Sequence, residues 1–310
     1  MFDEKIRIAI ISGPTASGKS SLALAIAQEF NAEIISADSR QIYRQLKIGT
    51  DRLSENEWQG VPHHLMGSHD LSDKFTAFGF VDAAEIAVTE ARKNGKHIII
   101  CGGTGMYIRA FADGIFEMPD GDTSYRSELL DLASKKGPKF IHEMLMEVDP
   151  EEASKVHFNN MIRVIRALEI YNLTGKPKSE IVKNTAPRDK NYIFKQVILT
   201  PPRDILYKRI EARVDEMFVQ GLVEEVKLVY NSEYGKALHK KKIVGYSEII
   251  EYLDGHCTLE EAKLLVKQNT RRYAKRQFTW FRNVKNADFI TAFGSESIET
   301  GKGLFHKFWQ

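Results

Sequence analysis

The stretch Ile11–Ser21, ISGPTASGKSS, constrains the fold more than any other part of the sequence. It fits the phosphate-loop pattern G-x-x-x-x-G-K-[ST]. The apolar run 6–11 before it predicts a short buried strand, and the spacing of apolar residues after it predicts an amphipathic helix over 19–30. Because the pattern is diagnostic only between a strand and a helix, this context indicates a phosphate-binding loop rather than an ordinary glycine turn.

Each residue type in the loop suits a phosphate ligand. The glycines let backbone N–H groups turn inward, and the N-terminus of the following helix adds partial positive charge. Lys19 would reach the terminal phosphate, and Ser20 would help to hold Mg²⁺. The predicted diphosphate-binding residues are Gly13, Pro14, Thr15, Ala16, Ser17, Gly18, Lys19 and Ser20. The loop predicts a phosphate or diphosphate ligand, and by pattern alone ATP is its commoner one.

The composition is that of an ordinary globular protein, with 310 residues of which 43% are hydrophobic. The longest apolar runs are far shorter than a membrane span, and the start MFDEK lacks the basic and apolar pattern of a signal peptide. The two cysteines, Cys101 and Cys257, are too few for a disulfide framework or a cysteine zinc finger. We therefore expect a cytoplasmic protein without membrane contact. A net charge of +2 does not by itself require an anionic partner.

Strand and helix patterns alternate through the first third of the chain. Strands are predicted over 6–11, 33–38 and 96–103, and helices over 19–30 and 78–95. This βαβαβ order predicts an α/β fold, in which a parallel sheet is covered by helices.

The middle of the chain has a different character. Residues 116–190 carry helical patterns and no clear strand, which predicts a helical insertion domain. A strand over 191–200 then returns to the sheet, and a long helix follows it and ends at Gly221. The predicted core domain therefore consists of residues 1–115 and 191–310.

A second candidate binding feature is a basic helix near the C-terminus. Residues 263–285 contain eight Lys or Arg and no Asp or Glu, with aromatic residues interleaved. The i+4 spacing of Lys263, Lys267, Arg271 and Lys275 places them on one helix face, where like charges repel. An anionic partner such as a phosphate backbone would account for this stripe, and a solvated surface face is the alternative. The segment HKKKIVGY (239–246) and the pair Arg163 and Arg166 point the same way.

Two polar residues follow the second and third predicted strands. Asp38 comes at the end of IISAD and Thr104 lies in the glycine turn CGGTGMY, so both are expected at the carboxyl edge of the sheet beside the phosphate loop. Asp38 could hold Mg²⁺, act as a general base or cap the turn that follows. The histidines of VPHHLMGSHD, His63, His64 and His69, match no zinc-site spacing, and a structural or substrate-wall role is preferred.

The ensemble of motifs resembles one family over nearly the whole chain. The motifs occur in the order GPTASGKSS, SADSRQIY, VPHHL, GGTGMYIRA, RVIRALEIYNLTGK, RVDEMFVQGLVEEV, IVGY and KRQFTWFR. Together they resemble the tRNA dimethylallyltransferases of bacterial type, which implies a P-loop NTPase-like core. The resemblance also implies transfer of a dimethylallyl group from dimethylallyl diphosphate to N6 of adenosine 37, next to the anticodon of tRNA, with Mg²⁺ as cofactor. One departure is HFNN (157–160), where the family usually has HPN.

The same resemblance assigns roles to individual residues. It implies that Asp38 is the general base, that Thr104 is its partner near the reacting amine, and that Lys19 and Arg213 bind the diphosphate. The implied Mg²⁺ ligand is Ser20. Segments that contact tRNA in the family match Asp38, Ser39, Arg40, Gln41, Thr104, Ile162, Arg163, Arg166, Lys242, Gly245, Tyr246, Lys275, Arg276, Gln277, Trp280 and Arg282. A monomer would suffice to bind the anticodon stem-loop with adenosine 37 flipped out.

Three alternatives stay open at this point. An adenylate isopentenyltransferase uses the same donor on a free nucleotide, but would need neither the basic helix nor the large insertion. A P-loop nucleotide kinase would use ATP as donor and would carry an arginine-rich lid. A non-catalytic RNA-binding protein would have no need of intact Lys19, Asp38 and Arg213.

Overall fold

The structure is a computed structural model that describes residues 5–115, 118–184 and 191–310. Within these residues, six parallel strands form one sheet in the order β3-β2-β4-β1-β5-β6. The strands are β1 (Ile6–Ser12), β2 (Ala32–Ser36), β3 (His63–His64), β4 (His97–Gly102), β5 (Tyr192–Leu199) and β6 (Ala287–Ile290). The strands predicted at 6–11, 33–38, 96–103 and 191–200 are thus confirmed to within two residues at either end, whereas the short β3 and β6 were not predicted.

Helices cover the sheet and make up most of the remaining described chain. They are α1 (Lys19–Glu29), α2 (Ala77–Lys93), α3 (Gly105–Asp113), α4 (Thr123–Lys136), α5 (Pro138–Val148), α6 (Pro150–Lys155), α7 (Met161–Thr174), α8 (Lys178–Asn184), α9 (Arg203–Val219), α10 (Leu222–Tyr230), α11 (Gly235–Lys241), α12 (Ser247–Leu253), α13 (Leu259–Phe281) and α14 (Gly294–Trp309). The predicted fold class, a P-loop NTPase-like parallel sheet covered by helices with a helical insertion, is confirmed. None of the described helices is both long and apolar enough to cross a membrane.

The sheet is buried on both sides, which explains why its strands read as continuous apolar runs. In β1, Ile8–Ile11 are 0–1% exposed. Ala9 and Ile11 pack with Leu22 of α1 and Phe305 of α14. This packing fixes α1 against the sheet and so fixes the loop that joins β1 to α1.

The contacts between Cα atoms divide the chain into two compact units. One consists of Met1–Ala112 with Asn191–Gln310 and the other of Asp113–Lys190, against a predicted boundary between residues 115 and 116. Residues 116, 117 and 185–190 of the predicted insertion lie outside the described residues.

The second unit has its own core, contributed by α4 to α7. Its members include Leu129, Ile141, Leu145, Val164 and Leu168, all at most 3% exposed. Glu169 of α7 has a fully buried side chain and accepts a hydrogen bond from Arg126 of α4 at 2.8 Å. The pair joins two helices of the bundle across its core.

Two glycines allow the turns at the carboxyl edge of the sheet to touch neighbouring backbone. A Cβ added to Gly102, at the end of β4, would lie 2.1 Å from the carbonyl oxygen of Ala37, which follows β2. A Cβ added to Gly13, with φ of 143°, would lie 2.5 Å from the carbonyl oxygen of Leu199 in β5. Real Cβ contacts do not come so close, so both positions require glycine. The loops after β1, β2 and β4 therefore converge at one edge.

Candidate active site

The phosphate loop lies between β1 and α1, as predicted. Gly18 has left-handed backbone geometry, with φ of 92°, and is the N-cap of α1. The loop forms one wall of a cavity of about 430 Å³ at the carboxyl edge of the sheet. The opposite wall comes from α9 and α13, and the floor from the ends of β2 and β4. The cavity therefore lies where the phosphate loop meets the carboxyl ends of β2 and β4.

Lys19 points across the loop. Its Nζ donates a hydrogen bond to the carbonyl oxygen of Pro14 at 2.6 Å. Burial lowers the pKa of Lys19 to about 8, while the carboxylates of Asp38 and Asp51 oppose that shift and Arg213 adds to it. The side chain is therefore a cation near neutral pH, and its charge is poorly solvated until an anion arrives.

Asp38 both caps a turn and faces the cavity. Its Oδ1 accepts hydrogen bonds from the backbone N–H groups of Arg40 at 2.8 Å and Gln41 at 3.3 Å. Within the described residues, no group donates a hydrogen bond to the second carboxylate oxygen, Oδ2. Asp38 thus caps the turn with Oδ1, as one of its predicted roles requires, while Oδ2 remains available as a proton acceptor.

Thr104 ties the turn after β4 to the turn after β2. Its backbone N–H donates to the carbonyl oxygen of Ala37 at 3.1 Å, and its Oγ1 accepts from the backbone N–H of Ser39 at 3.0 Å. A hydrogen bond also joins Thr104 to the side chain of Tyr273. Asp38, which lines the cavity, and Thr104 are therefore brought together at the carboxyl edge of the sheet, as the sequence predicts.

Arg213 reaches the phosphate loop from α9. Its Nη1 forms an ion pair with Asp51 at 2.6 Å, and its Nη2 donates to the Thr15 hydroxyl. The third nitrogen, Nε, is buried and has no hydrogen-bond partner among the described residues. The guanidinium held in this way therefore keeps its Nε–H available for a further acceptor in the cavity.

Three cavity residues were not predicted in these roles: Asp51, Tyr273 and Gln277. Tyr273 lines the cavity with Asp38, and burial raises its pKa to about 12. Gln277 is 6% exposed; its Oε1 accepts from the backbone N–H of Thr15 at 2.8 Å, and its Nε2 donates to the carbonyl oxygen of Gly103 at 2.9 Å. The amide thus joins the phosphate loop to the turn after β4.

The sequence does contain a signal for Gln277. Ala274, Gln277 and Phe281 are buried at helical spacing on the inner face of α13, so Gln277 is a polar residue on an otherwise apolar stripe. Buried polar side chains are almost always hydrogen-bonded, so such an exception marks a specific contact. Asp51 has no comparable signal, because its partner lies 162 residues away.

The basic stripe of α13 is neutralised over its first half. Lys263 and Lys267 pair with Asp215 at 2.9 Å and 2.7 Å, and Arg271 pairs with Glu211. Both acids belong to α9. The second half of the helix differs, because Arg272, Lys275 and Arg276 are exposed, as are Arg282 and Lys285 just beyond it. The candidate anion-binding surface therefore lies on the second half of the helix and the residues that follow it.

The predicted tRNA contacts of α7 differ in their exposure and in their partners. Ile162 is 86% exposed and Arg163 is exposed, whereas Arg166 donates to the carbonyl oxygen of Pro119 and approaches Glu169 at 3.4 Å. Arg166 is thus partly a structural residue of the second unit.

The segment after α11 also contains both exposed and buried residues. Lys242 is exposed, but Gly245 is buried and Tyr246 is 0% exposed, with its hydroxyl donating to Glu225 at 2.5 Å. Trp280 is half-buried, and its indole lies where a Cβ on Gly105 would stand. The expectation of direct tRNA contact does not fit the Tyr246 and Gln277 side chains, because both are buried inside their unit.

The three histidines of the 61–70 segment are engaged separately. Nδ1 of His63 is 2.8 Å from the carbonyl oxygen of Val61, His64 pairs with Glu33 at 2.7 Å, and His69 contacts Ser68 and the ring of Phe75. Among the described residues, no group of three His, Cys, Asp or Glu could hold a metal ion. Each of the three histidines thus has its own partner.

Comparison with known proteins identifies relatives over nearly the whole chain. The family model described as IPP transferase matches residues 41–284. A tRNA dimethylallyltransferase of Geobacter metallireducens is 42% identical over 306 residues, which cover 98% of this chain and 99% of the relative. One from Geobacillus thermodenitrificans is 44% identical over 278 residues, covering 89% of this chain and 88% of the relative.

Two solved structures share the fold over most of their length. A full-length tRNA isopentenylpyrophosphate transferase from Bacillus halodurans aligns with a TM-score of 0.69 and 38% identity, covering 98% of this chain and 97% of that one. A eukaryotic dimethylallyltransferase acting on tRNA aligns with a TM-score of 0.78 and 28% identity, covering 97% of this chain and 77% of that one.

The lowered pKa of Lys19 predicts a pH dependence for anion binding. Below about pH 8 the ammonium is already formed; above it, the free protein must take up a proton to pair with the anion. We expect the association constant of a diphosphate monoester, whose last ionisation is near pH 6, to be flat from about pH 7 to about pH 8 and then to fall by up to about tenfold per unit.

Isothermal titration calorimetry across this pH range measures the effect. Lys19→Arg is the matched control, because a guanidinium keeps its charge and should remove the inflection. An affinity of the unmodified protein that stays constant up to about pH 9 would contradict the assignment of Lys19 to the anion.

Proposed function

The chain belongs to the IPP transferase family, and on that premise we propose that it transfers the dimethylallyl group of dimethylallyl diphosphate to N6 of adenosine 37 in tRNA. The observation that carries this proposal is the convergence of Lys19, Arg213 and Asp38 on one cavity. Two cations lie at the phosphate loop, and a carboxylate with a free oxygen lies across from them. A cavity so arranged can hold an anionic leaving group at one end and accept a proton at the other.

The loop suits a diphosphate that leaves intact. As the bond between C1 of the dimethylallyl group and the diphosphate oxygen breaks, negative charge builds on the diphosphate. Lys19, Arg213 and the N–H groups of the loop are positioned to stabilise that charge. The allylic carbon tolerates the positive charge that develops on it, so stabilisation of the leaving group contributes directly to the rate.

Mg²⁺ would add further positive charge at the leaving diphosphate. The residues present fit this ion: the Ser20 hydroxyl lines the cavity, and the neighbouring Ser17 hydroxyl is buried without a partner. The described residues offer no cluster of three acids, histidines or cysteines, which agrees with an ion held by Ser20 and mainly by phosphate oxygens and water.

Asp38 is assigned as the general base. The exocyclic amine of adenine is a poor nucleophile because its lone pair is delocalised into the ring. As the bond from N6 to C1 forms, N6 loses a proton, and the free oxygen of Asp38 accepts it. Thr104 is assigned to the reacting amine, because it adjoins Asp38 through Ser39 and Tyr273.

A second, adjacent cavity supplies a path for the acceptor base. It has a volume of about 190 Å³ and shares Asp38, Arg213 and Tyr273 with the first. Its walls include the apolar residues Val214, Met217, Ile243, Val244 and Val266, and its basic residues include Arg40, Lys242 and Arg276. Apolar walls suit a base taken out of its stack, and basic residues suit the phosphates on either side of it.

The tRNA is assigned to exposed basic residues at the C-terminal end of α13, of which Arg276 lines this cavity. Adenosine 37 must be flipped out of the anticodon loop to reach Asp38, at a cost of a few kcal/mol that backbone contacts offset. Lys275, Arg276 and Arg282 are exposed and supply such contacts. Arg163, which is exposed on the second unit, is assigned to tRNA separately. We assign the enzyme to the cytoplasm, where tRNA is its substrate, and expect it to act as a monomer.

Transfer assays test this function directly. The protein should move label from dimethylallyl diphosphate to tRNA carrying A36-A37-A38, and should leave AMP unmodified. It should transfer no phosphoryl group from ATP to a nucleotide. Labelling of AMP without labelling of tRNA, or phosphoryl transfer from ATP, would refute the proposal.

The role of Asp38 is tested in the same assay with Asp38→Asn. Asparagine keeps an oxygen for the hydrogen bonds from Arg40 and Gln41, so the turn should survive, but it is not a base. We expect turnover to fall by about 10² or more while the affinities for tRNA and for diphosphate change little. Turnover close to that of the unmodified enzyme would leave Asp38 with the capping role alone.

The surface assigned to tRNA predicts a difference between two halves of one helix. Replacing Lys275 and Arg276 together with alanine should weaken tRNA binding and reduce the slope of log affinity against log salt by about 1.5, because each phosphate contact contributes about 0.7 to 0.9. The matched control replaces Lys263 and Lys267, which already pair with Asp215. Filter binding at several salt concentrations measures the slopes. Equal changes in slope for the two double variants would show that Lys275 and Arg276 contribute no more to tRNA binding than Lys263 and Lys267.

A further inference from the structure

Arg213 already has a carboxylate partner inside the diphosphate cavity. Nη1 of Arg213 lies 2.6 Å from Oδ2 of Asp51, and both residues line the cavity beside Lys19. The Asp51 side chain is 52% exposed and that of Arg213 is 22% exposed. The pair therefore lies at the mouth of the cavity, with the carboxylate on the solvent side and the guanidinium on the inner side.

The carboxylates of the cavity offset much of its positive charge when no anion is bound. Lys19, Arg209 and Arg213 contribute three positive charges, and Asp38 and Asp51 contribute two negative charges. A diphosphate brings several further negative charges, so it meets two carboxylates as well as three cations. Only one of those carboxylates, Asp38, has a part in the proposed transfer.

The guanidinium is poised for an acceptor that it does not yet have. Its Nη2 donates to the Thr15 hydroxyl, its Nη1 pairs with Asp51, and its Nε is buried without a partner in the described part of the chain. A buried donor left unpaired is destabilising, so it marks a place where an acceptor is expected to bind. Turning the guanidinium toward a diphosphate would satisfy Nε and would release Nη1 from Asp51.

The backbone holds Asp51 firmly in place. The residue has left-handed geometry, with φ of 54°, and its N–H donates to the carbonyl oxygen of Ile48 at 2.9 Å. The Gln41 side chain donates to the carbonyl oxygens of Thr50 at 3.0 Å and Asp51 at 3.1 Å. The carboxylate is thus kept beside the cavity by a fixed turn rather than by a flexible loop.

We infer that Asp51 is a built-in competitor of the diphosphate for Arg213. Asp51 pairs with the guanidinium when no diphosphate is bound, and dimethylallyl diphosphate displaces it on binding. The ion pair between Asp51 and Arg213 forms again as inorganic diphosphate leaves. Asp51 is thus a positioning residue that weakens binding of the product in favour of turnover. The inference rests on the proposed role of Arg213 at the diphosphate.

Asp51→Asn tests the inference because it removes only the charge. Asparagine has the same shape and readily adopts left-handed geometry, and the hydrogen bonds of the turn involve backbone atoms that it keeps. The ion pair is partly exposed and the incoming anion is multiply charged, so we expect inorganic diphosphate to bind roughly fivefold more tightly. Calorimetric titration of the unmodified protein and the variant with Mg²⁺ and inorganic diphosphate measures this.

The matched control is Asp288→Asn. Asp288 forms a similar exposed ion pair with Lys195 at 2.6 Å, but it does not line the cavity. The substitution makes the same change in net charge as Asp51→Asn. The affinity of the Asp288→Asn variant for diphosphate should equal that of the unmodified protein. In a thermal melt, diphosphate should raise the midpoint of Asp51→Asn more than that of either other protein, because tighter binding stabilises more.

The outcomes separate this inference from the proposed function. Tightening of at least about threefold in Asp51→Asn, without tightening in Asp288→Asn, supports competition. A smaller change or weaker binding overturns it, and weaker binding is the result expected if Asp51 instead helps to hold Mg²⁺. Diphosphate binding needs no tRNA, so failure of the tRNA transfer assay would leave this comparison intact.

Discussion

The site depends on the close approach of the two turns that follow β2 and β4. Gly102 permits it, because any side chain there would collide with the backbone of Ala37. The hydrogen bonds of Thr104 to Ala37 and Ser39 then hold the turns together. Without this contact, the carboxylate of Asp38 would not lie across from the phosphate loop.

Helix α13 extends the same constraint to the remaining parts of the site. Its Gln277 amide binds the phosphate loop on one side and the turn after β4 on the other, and Tyr273, one turn earlier, lies beside Asp38 and Thr104. Lys275 and Arg276 stand between these buried residues and are exposed. One helix thus contributes to the cavity assigned to the diphosphate and presents the cationic surface assigned to tRNA.

Local patterns in the sequence predict much of the fold and part of the site. The phosphate loop was identifiable because a loop motif, a buried strand and an amphipathic helix are adjacent in sequence. Strands β3 and β6, with two and four residues, are too short to show a periodic pattern. Asp38 and Thr104 could be placed because the carboxyl ends of parallel strands meet at one edge.

What the sequence could not show are contacts between distant segments. Asp215 and Glu211 neutralise half of the basic stripe from 52 and 60 residues away, so counting charges within one helix overstated its free charge. The same holds for Asp51 and Arg213, whose pairing changes the electrostatics of the cavity. In both cases no local pattern identifies the partner of the acid, and only the packing of α9 against its neighbours reveals it.

If the phosphate loop holds a leaving group, transfer breaks the bond between C1 and oxygen, and phosphorus is not attacked. Dimethylallyl diphosphate labelled with ¹⁸O at the oxygen between C1 and phosphorus distinguishes the two possibilities, with mass spectrometry of both products. Breakage of the bond between C1 and oxygen predicts that all of the label leaves in inorganic diphosphate and none enters the tRNA. Label in the tRNA, or release of inorganic monophosphate in place of diphosphate, would show that the loop does not hold the leaving group.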